Sequence, residues 1–179
     1  GIVLADTFEM YEKDDKLDLD VFISNNERAE KQKSKDIRVI IGNPPYSVGQ
    51  NNQNDNNENV TYPELDAKIA GTYVRQSKSG NGKQAYDSYI RAFRWATDRV
   101  GKSGVVAFVS NGRFIDAKSL DGFRHEITRE FDQVFVLNLR GNQRTQGEES
   151  RKEGGKVFGS GSRTPVAITI LVKGGVSKS

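Results

Sequence analysis

Cysteine is absent from the 179 residues and histidine occurs once, at His125. That inventory excludes disulfide frameworks, thiolate nucleophiles and Cys/His zinc sites, and no metal site is expected. No run approaches the roughly 18 apolar residues of a membrane span, and the N-terminus lacks the basic-then-apolar layout of a secretory signal. These absences lead us to expect a soluble, intracellular chain with no membrane partner. Chemistry performed here must use amides, hydroxyls, carboxylates or aromatic rings.

What is present is unevenly distributed. Residues 1–70 carry 8 Lys+Arg against 14 Asp+Glu, a net of −6, and residues 71–179 carry 19 against 10, a net of +9. The C-terminal part is therefore the better face for a polyanion. The length suits one domain. The opening Gly1-Ile2-Val3-Leu4 has no methionine and reads as a strand already under way, so a fragment of something larger is expected.

Along the chain, strand and helix signals alternate without an internal repeat. Ile2 to Ala5 is a short apolar run expected as a buried strand, and residues 11–36 are charge-dense surface. Ile37 to Ile41 is a second buried strand, stopped by Gly42 and the Pro44-Pro45 pair. Residues 50–59 are almost all amides and acids and predict a mobile loop. "YDSYIRAFRWATDRV", residues 86–100, places Tyr86, Tyr89, Ile90, Phe93, Ala96, Thr97 and Val100 on one helical face. "GVVAFVS", 104–110, reads as a central strand, and "SLDGFRHEITREF" as a helix N-capped by Ser119 or Asp121 that buries Phe123, Ile127 and Phe131. Strands over 133–139 and 166–172 flank a long loop or hairpin, 141–164, and 174–179 form a tail. The alternation predicts an α/β fold with a mainly parallel sheet.

In such sheets ligands sit beyond the carboxyl ends of the strands, which is where Asn43-Pro44-Pro45-Tyr46 falls. Two prolines can simply stop a sheet. The full tetrapeptide, however, arises by chance in a chain this long roughly once in a thousand cases or fewer. The Asn43 side-chain oxygen and the Pro44 carbonyl are both acceptors, and a proline peptide has no N–H to compete. Held side by side they suit an amino group, drawing its nitrogen toward tetrahedral geometry and freeing its lone pair. Tyr46 can stack on the attached ring. No strong base is in the set, so the reaction would rely on a reactive electrophile, orientation and electrostatics.

Asn43-Pro44-Pro45-Tyr46 resembles the catalytic motif of S-adenosylmethionine-dependent amino-group methyltransferases, above all DNA adenine-N6 methyltransferases. "VLADTFEMYE" is similar to the family's strand that ends in an acidic residue, "YDSYIRAFRWATDRV" to the helix after the catalytic loop, and "GKSGVVAFVSNGRFID" and "FDQVFVLNLRG" to its next strands. More narrowly, the spacing looks like the methyltransferase region of large single-chain restriction-modification proteins. The resemblance covers residues 1–173. It implies a partial Rossmann-like fold with helices on both faces and an antiparallel strand near the C-terminus. It also implies catalytic roles for Asn43, Pro44, Pro45 and Tyr46, and cofactor contacts from Asp6, Thr7 and Asn43. Asp6 would bind the cofactor's adenine amino group.

DNA is the implied partner, with the target base flipped from its stack. Asn111, Arg113, Arg140 and Arg144 are the candidate DNA contacts, and Arg163 could also meet a phosphate. Asn111-Gly112 at a strand end reads first as a plain turn, the Tyr86, Tyr89 and Phe93 stripe as core, and His125 is assigned no role. The further implied partners are the other domains of a parent chain: the cofactor half, a target-recognition domain, a helicase-like translocase and a nuclease. A bacterial, cytoplasmic setting is expected.

The family also needs a glycine-rich loop after its first strand, and none precedes Asp6; Gly80-Asn81-Gly82 reads as a turn. An incomplete cofactor pocket and no activity in isolation are the expectations. Two other readings stay open at this stage. One is glutamine-N5 methylation of protein, since the motif also occurs in those enzymes; the other is a DNA-engaging segment that does no catalysis.

Overall fold

The structure is a computed structural model that describes residues 2–3, 5–12, 23–45, 62–80, 82–142, 148–155, 157 and 164–174. The expected mobile loop 50–59 and, beyond Gly174, the tail 174–179 lie outside the described residues, as do Tyr46, Arg144 and Arg163.

Among the described residues nine helices and strands follow in chain order: α1 (Ile23–Lys33), β1 (Val39–Gly42), α2 (Pro63–Ile69), α3 (Ser88–Arg99), β2 (Gly104–Asn111), α4 (Asp121–Glu130), β3 (Gln133–Arg140), α5 (Glu148–Glu153) and β4 (Val166–Lys173). A π-helical turn, Ala70–Val74, extends α2. The strands form one sheet in the order β1-β2-β4-β3. Neighbours β1 and β2 are parallel, whereas β4 is antiparallel to both β2 and β3. The expected antiparallel strand near the C-terminus is thus β4, but the sheet is mixed rather than mainly parallel. Insertion of β4 between β2 and β3 is the reason. β1, β2 and β3 still run in one direction, so their carboxyl ends share one edge of the sheet.

The core explains why these segments take these forms. Tyr89, Ile90, Phe93, Ala96 and Val100 of the α3 face pack with Val106, Phe108 and Leu171 of the sheet and with Phe123, Ile127 and Phe131 of the α4 segment, all buried. Phe93 meets Phe108 and Phe123 with ring centroids 5.1 and 5.3 Å apart, and Tyr73 meets Phe123 at 5.1 Å. Each such pair adds about 0.5–1.5 kcal/mol beyond area burial. The Tyr89 and Phe93 stripe is therefore core, with Tyr86 half-buried at its margin. Arg94 is the buried exception. It donates to Glu130 at 2.9 Å and to Asp98, and lies 5.4 Å over the Tyr73 ring, locking α3 to α4. Tyr11 donates to the same Asp98 at 2.6 Å, tying in the N-terminal segment.

Apart from the terminal pair Asn111 and Val166, the buried residues of the sheet belong to one face. On the other, register pairs Val39 with Val105, Ile41 with Ala107, and Phe135 and Leu137 with Ile170 and Ile168. Ile41 is 78 % exposed, Val39 57 %, Leu137 59 % and Phe135 54 %. Among the described residues, helices therefore cover the sheet on one face only, against the expectation of two.

Four local expectations differ as well. Ile2, Val3 and Ala5 are not in a strand, because no described strand lies beside them to complete a ladder; the chain leads instead into a 3-10 turn, Glu9–Tyr11. The 11–36 surface segment holds α1, with Asn26 and Ala29 buried. The N-cap of α4 is Leu120, not Ser119 or Asp121. Ser119 donates instead to Gln84 at 2.6 Å, and Asp121, the first residue of the helix, accepts from Ser77 at 2.6 Å, from the Lys78 N–H at 2.9 Å and from the neighbouring Gly122 N–H at 2.8 Å. Within 141–164 the helix α5 forms, and Arg140 in the left-handed region at φ 63° turns the chain out of β3. No described helix is long and apolar enough to cross a membrane.

Candidate functional site

β1 is a short run of two isoleucines and a valine whose pairing with β2 ends at Gly42. Asn43, Pro44 and Pro45 follow directly, Pro44 buried and its two neighbours exposed. Proline supplies no donor to continue the ladder, so the strand delivers these residues past the sheet edge. They line a cavity of about 820 Å³ together with Asp6, Thr7, Phe8, Tyr62, Arg91 and Phe108. Residues nominated from opposite ends of the 39-residue separation thus share one cavity. The structure brings Asp6 and Thr7 together with Asn43, Pro44 and Pro45.

Asp6 is held rigidly. One carboxylate oxygen accepts from the Phe8 N–H at 2.8 Å and the Glu9 N–H at 3.4 Å, starting the 3-10 turn; the other accepts from the Tyr62 hydroxyl at 2.8 Å. Burial, and then the Asp6 carboxylate, push the Tyr62 phenol above its usual range, so it stays a donor across the physiological span. The ring of Phe8 stands edge-on to Tyr62 with centroids 5.3 Å apart. Glu12 then accepts from the Glu64 and Leu65 N–H groups at 2.7 and 3.1 Å, capping α2 from a distant part of the chain. Pro63 sits at the helix start, where its missing N–H costs nothing.

The second edge of the cavity is the start of α3, where Ser88, Arg91, Ala92 and Trp95 contribute to the wall. Asp87 immediately precedes them. Burial pushes its carboxyl up to about 6, offset in part by the Tyr89 and Ser88 N–H groups and by Arg113 and Arg91. One of its oxygens is buried with no hydrogen-bond partner. A carboxyl raised in the fold gives stability that is full below its ordinary 3.8 and lost as pH rises through about 6. Asp87→Asn is therefore expected to raise the unfolding free energy by roughly 2 kcal/mol at pH 8 and to change it little at pH 4. Denaturant titrations at both values check this, and equal effects at the two pH values would remove burial of the charge as the cause.

Asn111, at the carboxyl end of β2, is fully buried. Its side-chain oxygen accepts from the Arg113 N–H at 3.0 Å and caps the 3-10 turn Gly112–Ile115, while its amide nitrogen has no partner. It thus serves the turn, whereas Arg113 is half-buried beyond it. Arg140 stands at the same sheet edge, at the end of β3, where its guanidinium donates to the Lys152 carbonyl at 2.9 Å. Neither lines the cavity. Tyr62, Arg91, Trp95 and Phe108 do, and sequence reasoning missed them as site residues. Arg91 and Trp95 fall on the less buried side of the α3 pattern, and Tyr62 follows a polar tract without periodicity. The Tyr-Pro step ahead of an amphipathic run was the available signal for a helix start there.

The chain is similar to known proteins. Residues 4–144 match the family model described as Eco57I restriction-modification methylase. The chain is 55 % identical, with TM-score 0.90, to a nuclease-deletion mutant of the Type ISP restriction-modification enzyme LlaGI solved in complex with a DNA substrate mimic, covering 97 % of this chain and 14 % of that one. It is 44 % identical, with TM-score 0.88, to the ATP-dependent Type ISP restriction-modification enzyme LlaBIII bound to DNA, covering 97 % and 11 %. The DrdV–DNA complex, solved by electron cryomicroscopy, is similar at 48 % identity and TM-score 0.77 over 83 % of this chain and 15 % of that one. No curated protein sequence matches. The chain belongs to the Eco57I restriction-modification methylase family.

Proposed function

We propose that the chain forms the acceptor side of a DNA methyltransferase that transfers a methyl group to the N6 amino group of adenine, within a much longer restriction-modification enzyme. The observation that carries this is the single cavity lined by both Asp6 and Asn43-Pro44-Pro45. DNA as substrate is supported by the DNA complexes of the similar enzymes.

The cavity fits one end of S-adenosylmethionine. Asp6 offers carboxylate lone pairs to an amino donor, and Phe8, Ile40 and Phe108 provide apolar surface for a flat ring. No glycine-rich loop for the methionine end is among the described residues. Bound there, this cofactor supplies an electrophilic methyl group on sulfonium sulfur. The chain's own residues supply orientation. Asn43 and the Pro44 carbonyl accept from the target amino group, Tyr46 stacks on the flipped base, and Pro45 fixes the turn between them. Arg113 reaches a phosphate near the flipped nucleotide.

The test uses the full-length enzyme, unmethylated duplex DNA and cofactor labelled on the methyl group, with the DNA digested to nucleosides. Label is expected in N6-methyl-2′-deoxyadenosine only. Label in protein glutamine, or in neither polymer, would overturn the proposal. The 179-residue chain alone is expected to transfer no label.

A further inference from the structure

Tyr62 lies between two tightly fixed groups. Its hydroxyl donates to the Asp6 carboxylate at 2.8 Å, and its ring carries the Arg91 guanidinium at 5.4 Å from the centroid. Arg91 is itself clamped, its Nε and one Nη donating to the two oxygens of Asp66 at 2.8 and 2.9 Å. A bidentate arginine–carboxylate pair has one geometry, unlike a lysine point charge. Phe8 meets the same ring edge-on at 5.3 Å. Tyr62 itself is almost fully buried. A continuous relay, Asp66–Arg91–Tyr62–Asp6, thus runs from α2 through α3 to the N-terminal segment, and its last three members line the cavity.

Two features separate this relay from ordinary packing. Tyr62 spends its only donor on Asp6, and Arg91 is directed onto the ring by a second partner that lies outside the cavity. Each contact restricts the next until the free lone pairs of Asp6 have one orientation.

We propose that Tyr62 is a positioning residue of the cofactor pocket: its phenol fixes the Asp6 carboxylate, and the Asp66–Arg91 pair fixes the phenol. The inference rests on the reading that Asp6 faces the cofactor. Tyr62→Phe removes one hydrogen bond and keeps the ring contacts with Phe8 and Arg91. Arg91→Met frees the ring, and Arg91→Lys restores a cation above it.

Binding of S-adenosylhomocysteine to the full-length enzyme is to be measured by titration calorimetry. Tyr62→Phe is expected to weaken it about tenfold and Arg91→Met about threefold, with Arg91→Lys recovering part of that loss. The double variant should bind no more weakly than Tyr62→Phe, because Arg91 acts through the phenol. Affinity for DNA without cofactor should stay near that of the unaltered enzyme. Full cofactor affinity in Tyr62→Phe alongside weakened binding in Asp6→Ala overturns the positioning role alone. Full affinity in Asp6→Ala overturns both that role and the reading of Asp6. An equal loss of DNA and cofactor binding in Tyr62→Phe would mean a structural role and would likewise overturn it.

Discussion

Asn43→Ala is expected to lower kcat for methyl transfer in the full-length enzyme about 10²- to 10³-fold, the usual effect of deleting one preorganised polar group at a reacting centre. The expected loss follows from what the cavity contains. Its carboxylate, Asp6, already accepts from the Phe8 N–H and the Tyr62 hydroxyl. On the proposed reading the chain contributes by holding the amino nitrogen, and Asn43 with the Pro44 carbonyl supplies the acceptors for it among the described residues at the strand end. Asn43 is exposed after the last paired residue of β1 and packs no core, so the unfolding temperature should move by less than about 2 °C, as for surface substitutions of within ±0.5 kcal/mol. Asn43→Asp keeps an acceptor oxygen in the same place and should retain a measurable part of the rate. Single-turnover kinetics with saturating DNA and cofactor separate the chemical step from binding. An Asn43→Ala enzyme with unchanged single-turnover rate would remove Asn43 from the chemistry.

The residues whose signal is local were readable from the chain. β1, β2 and β4 are aliphatic runs, and α3 and α4 are amphipathic at helical spacing, so their existence and their buried faces followed from periodicity. Asn43-Pro44-Pro45 stood out by composition and lies at the expected strand end. What depends on distant partners was not readable. The placement of β4 between β2 and β3 is a pairing choice that no single strand encodes. Tyr62 and Arg91 join the cavity through partners 56 and 25 residues away. α1 was hidden because, among its described side chains, Asn26 and Ala29 are the buried ones, too few apolar positions to set a period. The bare face of the sheet was equally hidden, since Phe135 and Leu137 look like core in any strand.

Gly122→Ala is expected to be among the most destabilising single changes in the chain, although it adds one methyl group and improves helix propensity. α4 begins where it crosses the end of the α2 helix, and a Cβ at Gly122 would stand 2.0 Å from the Tyr73 carbonyl oxygen and 2.6 Å from the Ser77 nitrogen. Both are backbone atoms, so no rotamer change relieves the overlap. The two helices cannot slide apart cheaply either. Asp121 next door accepts from Ser77 and from the Lys78 N–H, and Tyr73 packs on Phe123 with ring centroids 5.1 Å apart. Overpacking costs about 1–3 kcal/mol where side chains give way and more where they cannot; about 3 kcal/mol or more is expected here. For a domain of this size that lowers the unfolding temperature by roughly 10 °C. Gly71→Ala is the internal control. It is itself exposed in the π-helical turn of the same helix, with nothing within 4 Å of its added Cβ, so the same methyl group should stabilise by up to about 1 kcal/mol. Thermal unfolding of both variants must therefore give shifts of opposite sign. A Gly122→Ala chain that melts within 2 °C of the unaltered one would mean that α4 does not cross α2 at that residue.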